Sequence, residues 1–348
     1  MSELFEEGGP HKIQKVGPDQ YQMSVTMPPD SDGMVARECK SLECSPSLFK
    51  VKPGTGITNQ TKAYCPYCRR EAKPGDFTTD AQREYAVRLL KAEAEKGFDK
   101  MIRDALDIGP TNKRKLADGL ISMELQYTPP TRSPIFPPAG EELRRDVLCP
   151  HCTLAHAVYG LAVWCPDCGE DIFVTHVEEE IAVVRRMLTA IPDRLATLGP
   201  RVAARDLENA LEDAVSIFEG SLKALVRRHL SSRMDRDSVQ SEMTKTIGNK
   251  FQSVALGAAL YQQLTGHDLL VCLNAGKQAE LAAAFEKRHP ITHNLGVVDK
   301  QYLVRAKSGE LEGRDIRLQA SDVENALGMV LTVIAASHAQ LFPKTRAI

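Results

Sequence analysis

Beyond about residue 177, apolar positions recur at three- and four-residue spacing almost without interruption, whereas before it they come in short runs broken by Pro, Gly and Cys. Leu207, Leu211, Val215, Phe218, Leu222 and Leu225 fall on one face of a long amphipathic helix. Phe251 to Leu264 repeats the pattern and Gly266 ends it. A third helix is predicted from Lys277 through Phe285 into KRHPITHNLGVVDKQYL, and a last from Ser321 to Phe342, with Ser321 and Glu324 as a capping box. Four or more such helices predict an antiparallel bundle.

The first half reads differently. Residues 1–30 are rich in Gly, Pro and acidic residues and are expected to be mobile, with a short strand at Tyr21 to Thr26. Thr79 and Gln82 make a capping box ahead of a long charged helix, in which Tyr85, Leu89 and Leu90 recur at helical spacing and predict one packed face. Ile121 to Tyr127 alternates as a strand, and PPTRSPIFPP after it suits only a linker or an irregular crossing. The fold class expected is α+β, mostly α: small cysteine-rich modules followed by a helical bundle. The boundaries read as 31–110 for a first module with its long helix, 111–147 for a strand and Pro-rich linker, 148–176 for a second module, and 177–348 for the bundle.

Eight of the nine cysteines form four close pairs: Cys39/Cys44, Cys65/Cys68, Cys149/Cys152 and Cys165/Cys168. Two thiolates on a tight turn supply two corners of a tetrahedron, so each two pairs can close one structural zinc site. CPHC followed by CPDC is the cleaner set, and the run LAHAVYGLAVW between them suits a short ribbon. Four thiolates saturate the ion, which argues against a zinc-dependent hydrolase. His151 and His156 lie close enough in sequence to replace a thiolate, but four cysteines make that unnecessary. Disulfides are the competing reading. The opening MSELFEEGG lacks the basic and apolar segments of a secretory signal, so a reducing cytoplasm is expected and metal is favoured. Cys272, in LLVCL, reads as a buried core thiol. The two cysteine sets form either one domain, sharing the strand at residues 121–127, or two ribbons in series.

At 348 residues and a formal net charge of −2, the chain is long enough for two or three domains and carries no global polycation to drive nucleic-acid binding. Such contacts must come from local patches, of which Lys62, Tyr64, Tyr67, Arg69 and Arg70 around the second cysteine pair are the candidate for RNA. The competing reading makes them solvated side chains on a small module. No apolar run is long enough to span a bilayer.

Within the bundle, Arg288-His289-Pro290-Ile291-Thr292-His293-Asn294 resembles the Arg-X(4 to 6)-His motif of the HEPN superfamily, and the order of helices from about Ala203 to Phe342 is similar to the HEPN bundle. The resemblance implies a metal-independent RNA endonuclease, active as a homodimer in which the two motifs meet in one cleft, in a bacterial-type defence or stress response under an unidentified regulator. It further implies that Arg288 holds the scissile phosphate and His293 acts as general base or acid, with His289 at the family's polar position and Asn294 as a further candidate. A side-chain pair five residues apart on an unbroken helix is separated by about 140°. Pro290 is expected to bend the backbone between Arg288 and His293 and so reunite them. The same residues, with Gly296 and Asp299 as an N-cap, also describe an ordinary polar helix junction. The alternative function is a non-catalytic binding or assembly protein, with structural zinc ribbons that recognise nucleic acid or protein and a bundle that dimerises.

Overall fold

The computed structural model describes residues 5–343 except 6, 9, 10, 19, 43, 110–112, 118–122, 130–133, 136, 138–143, 307 and 308. Two compact units emerge: one of Met1–Leu148, Cys152–Tyr159 and Pro166–Gly169, the other of Cys149–His151, Gly160–Cys165 and Glu170–Ile348.

The first unit is built from short antiparallel strands. β1 (Gln14–Gly17) and β2 (Gln20–Gln22) form a hairpin, so the strand expected at residues 21–26 starts one residue earlier and ends at 22. β3 (Val35–Glu38), β4 (Leu48–Val51), β9 (Arg145–Leu148) and β10 (Ala155–Val158) make one sheet in the order β3-β4-β10-β9. β10 lies between the second pair of cysteine turns and pairs with β4 of the first set, Phe49 opposite Val158. The two sets therefore share a sheet, but not through residues 121–127. That segment supplies β8 (Met123–Gln126), which pairs with β7 (Lys113–Ala117); residues 121 and 122 and most of the Pro-rich stretch lie outside the described residues.

The two central strands are covered on both faces, since consecutive residues are buried in each: Phe49 and Lys50 in β4, and His156, Ala157 and Val158 in β10. Phe77 meets Phe49 edge-on, with ring centroids 5.7 Å apart. Between the small hairpin of β5 (Ala63–Tyr64) with β6 (Glu71–Ala72) and strand β7 runs α1 (Asp80–Ala105). Its capping box forms as expected, with Thr79 Oγ1 accepting from the Gln82 amide at 3.1 Å and Gln82 Oε1 accepting from the Thr79 amide at 3.0 Å. The Gln82 side chain also donates to the Ala36 carbonyl, tying the helix start to β3. Tyr85 and Leu89 are half-buried, but Leu90, Phe98 and Ile102 are exposed, so the packed face is confined to the first turns.

The second unit is helical. α2 (Phe173–Leu198) turns at Gly199, whose φ of 86° suits glycine, into α3 (Pro200–Ser231), with Pro200 at the first helical position where a missing amide costs nothing. Then come α4 (Arg236–Ser241), a π-helical turn at Glu242–Ile247, a 3₁₀ turn at Lys250–Gln252, α5 (Val254–Thr265), α6 (Ala275–Glu286), α7 (Arg288–Asn294), α8 (Lys300–Ala306) and α9 (Ala320–Leu341). Ile181, Leu211, Phe218, Leu222, Leu327 and Val330, from α2, α3 and α9, are fully buried in one core. Each contributes about 1.5–3 kcal/mol by removal from water. Phe218 and Phe285 meet edge to face at 5.2 Å.

Gly266 ends α5 at a left-handed φ of 78°, as expected. The cap of α9 differs: Gln319 and Asp322 form the box, because Glu324 is drawn to Arg185 on α2 at 2.8 Å. Cys272 is exposed rather than buried, since LLVCL forms the turn before α6 and not a helix.

Residues 160–165 and 170–172 belong to the helical unit through side-chain contacts. Val163 is part of its core, and the Ala162 amide donates to Nδ1 of the buried His176 at 2.8 Å. The Arg228 guanidinium lies 4.3 Å from the Trp164 ring and 3.7 Å from the Phe342 ring, and pairs with Asp171 at 2.6 Å. His338 Nε2 reaches the same carboxylate at 3.1 Å while its ring stacks on Phe173.

Candidate functional site

Two groups of four cysteines come together: Cys39, Cys44, Cys65 and Cys68, and Cys149, Cys152, Cys165 and Cys168, the sulfurs of each set lying within 4.8 Å of one another. A tetrahedral zinc with sulfur at about 2.3 Å requires sulfurs about 3.8 Å apart. Cys39 and Cys68 are 3.7 Å apart, and Cys44 and Cys65 are 3.3 Å apart.

The turns that hold them follow from local sequence. In the first set the Cys65 amide bonds the Arg70 carbonyl, closing a turn in which Arg69 adopts a left-handed φ of 62°, and the Tyr67 amide points at the Cys65 sulfur at 3.4 Å. The second set repeats the device. The His151 amide faces the Cys149 sulfur at 3.4 Å, the Cys165 amide bonds the Glu170 carbonyl, and Gly169 has a φ of 69°. A Cβ at Gly169 would also lie 3.0 Å from the Tyr64 ring, so a side chain there would both strain the backbone and crowd the tyrosine.

Amides aimed at sulfur favour the thiolate, the form that binds metal. Hydrogen bonds from Cys44 and Cys65 hold the Cys68 thiol down to about 2, and the same contacts push Cys44 up. All four sulfurs can be deprotonated at such distances only beside a cation. Eight thiols in two saturated sets fit two zinc ions. His151 is exposed, His156 is fully buried with its ring near the Leu154 carbonyl, and neither joins a cluster.

The Arg288–Asn294 segment lies at the α6–α7 junction. The helix breaks at Lys287, not between Arg288 and His293, and α7 runs unbroken across Pro290. Proline is tolerated because it falls in the first turn of α7, where its missing amide has no helical partner to lose. Arg288 and His293 are therefore about 140° apart around the helix.

The segment's side chains divide into two groups. His289 and His293, one turn apart, have ring centroids 5.1 Å apart, and His289 Nε2 is 3.9 Å from Asp299. Arg288 instead donates to Gln252 Oε1 at 2.9 Å. His293 is exposed and Arg288 half-buried. Asn294 donates to the Val297 carbonyl at 2.7 Å, closing the turn after α7, and Asp299 caps α8 through the Tyr302 amide at 2.7 Å. Gln252 carries no sequence signal. It sits 36 residues from Arg288, in a turn too short to leave a periodicity.

Of the candidate RNA contacts, Lys62, Arg69 and Arg70 are exposed, with Lys62 paired to Glu71 at 2.6 Å. Tyr64 packs near Gly169. Tyr67 is structural in its bonding: its hydroxyl donates to the Leu48 carbonyl at 2.7 Å and accepts from the Tyr159 amide at 3.0 Å, and burial pushes its ionisation up.

No helix among the described residues is long and apolar enough to cross a membrane. No family model, curated protein or solved structure matches the chain.

Proposed function

We propose that the protein is an RNA endonuclease of the HEPN type, carried on a helical unit and accompanied by two structural zinc centres. The observation that supports it is the α7 segment, where two histidines share a face beside an arginine whose guanidinium is held by a neutral amide. His293, exposed and free to reach a ligand, takes the proton from a ribose 2′-hydroxyl. The 2′-oxygen then forms a bond to phosphorus as the bond to the 5′-oxygen breaks, and the departing 5′-oxygen takes a proton from water, leaving a 2′,3′-cyclic phosphate and a 5′-hydroxyl. Arg288 binds the phosphate as its negative charge grows. A cleft made by two copies supplies the groups that a single α7 does not point at one phosphate.

The zinc ions take no part in this chemistry. When bound, each supplies the charge that lets four thiolates coexist, and so fixes the turns around it. The candidate substrate contacts in the first cysteine module are Lys62, Arg69 and Arg70, which are exposed, with Tyr64 beside them.

One observation favours a second reading. The 140° separation of Arg288 and His293 on an unbroken helix suits a binding or assembly protein whose bundle only dimerises. Incubation of the purified, zinc-loaded protein with a labelled tRNA pool in EDTA decides between them, zinc retention being measured in the same samples. Cleavage leaving 2′,3′-cyclic phosphate ends, reduced at least about 100-fold in His293→Ala and Arg288→Ala, is the expected result. Intact RNA after incubation with a folded, zinc-loaded dimer supports the assembly reading instead.

A further inference from the structure

Arg288 is held by a relay and not by a carboxylate. Its Nη1 donates to Gln252 Oε1 at 2.9 Å, Gln252 Nε2 donates to Glu219 Oε2 at 2.8 Å, and Glu219 Oε1 takes Lys223 Nζ at 2.7 Å. The amide orientation is dictated by its neighbours. A guanidinium can only donate and a carboxylate can only accept, so Gln252 must present oxygen to one and nitrogen to the other.

The turn bearing Gln252 is itself fixed. Phe251 is fully buried, and its ring packs so closely on Gly257 that a Cβ there would stand 3.1 Å from it.

We propose that Gln252 is a positioning residue for Arg288, aiming the guanidinium through a neutral hydrogen bond that leaves its charge for a substrate phosphate; this rests on the nuclease reading. A carboxylate in its place would form an ion pair with the arginine and spend the charge before RNA arrives. Glu219, the nearest acid in the relay, is kept one link away and is already matched by Lys223. One of the five N–H donors of Arg288 is committed to Gln252, and the remainder suit a phosphate bidentately.

Two variants test this on the full, zinc-loaded chain, with a tRNA pool as probe. Gln252→Met keeps length and bulk but removes the relay. Its rate at saturating tRNA falls about 30-fold, with the half-saturating concentration changed less than about threefold, as expected of a mis-aimed group. Gln252→Glu keeps the shape but pairs its carboxylate with Arg288 and has no proton to give Glu219, so its rate at saturating tRNA falls at least as far.

A wild-type rate in Gln252→Met, a defect only in half-saturation, or a wild-type rate in Gln252→Glu overturns the role of Gln252 while the nuclease stands. An inactive wild-type protein overturns the nuclease reading, and this proposal with it.

Discussion

Burial alone would raise the Asp171 carboxyl, but hydrogen bonds from His338 and Arg228 outweigh it and hold the group down at about 2, against an ordinary 3.8. A folded-state value below the unfolded one means stability that is complete above the unfolded value and lost as pH falls through the folded one. Asp171→Asn should therefore cost about 2 kcal/mol at pH 7, with the difference from wild type shrinking between about pH 4 and pH 2. Trp164, the only tryptophan, stacks on Arg228 and reports the unfolding by fluorescence. An equal difference at pH 7 and pH 2 would show that the carboxylate's charge is not what matters. None of this cluster was legible in the sequence, since Asp171 finds Arg228 57 residues away and His338 167 residues away. The cysteines were legible for the opposite reason, since metal-ligand spacing is set within a single turn.

The limb at Gly160–Cys165 is more than a zinc knuckle, because Val163 enters the helical core and Ala162 bonds His176 in α2. A metal bound in the second set would thereby fix part of the bundle's own packing. Cys165→Ser should lower the thermal midpoint of the helical CD signal by at least about 5 °C, about 1–2 kcal/mol for a unit of this size, while Cys39→Ser moves it far less. Identical shifts in the two variants, or none in Cys165→Ser, would count against that coupling. The long helices themselves were visible from periodicity, as was the Thr79 cap. Where propensity misled, a neighbour had intervened: Glu324 left its cap for Arg185, and Pro290 was absorbed by a helix that starts two residues before it.

Across the whole chain the two cysteine sets differ in shelter. Cys68 is exposed, whereas Cys152 and Cys168, the most accessible sulfurs of the second set, are half-buried. Two zinc ions per chain are expected, released by a chelator in two phases with the first set leaving first. A Cys68→Ser protein should lack the fast phase; if the slow phase disappears instead, the assignment of the two sets is reversed. The sharing of one sheet by both sets could not be read from the sequence, because β4 and β10 are short and carry no mark of their partner.

That sheet also imposes an order in time. During synthesis β3 and β4 leave the ribosome early, and Phe49 waits for Val158 across everything that lies between. Until then β4 has one edge with no strand beside it, in a nascent chain already able to gather its first four thiols. The newborn protein must stay soluble through that interval, in which the charged α1 also emerges.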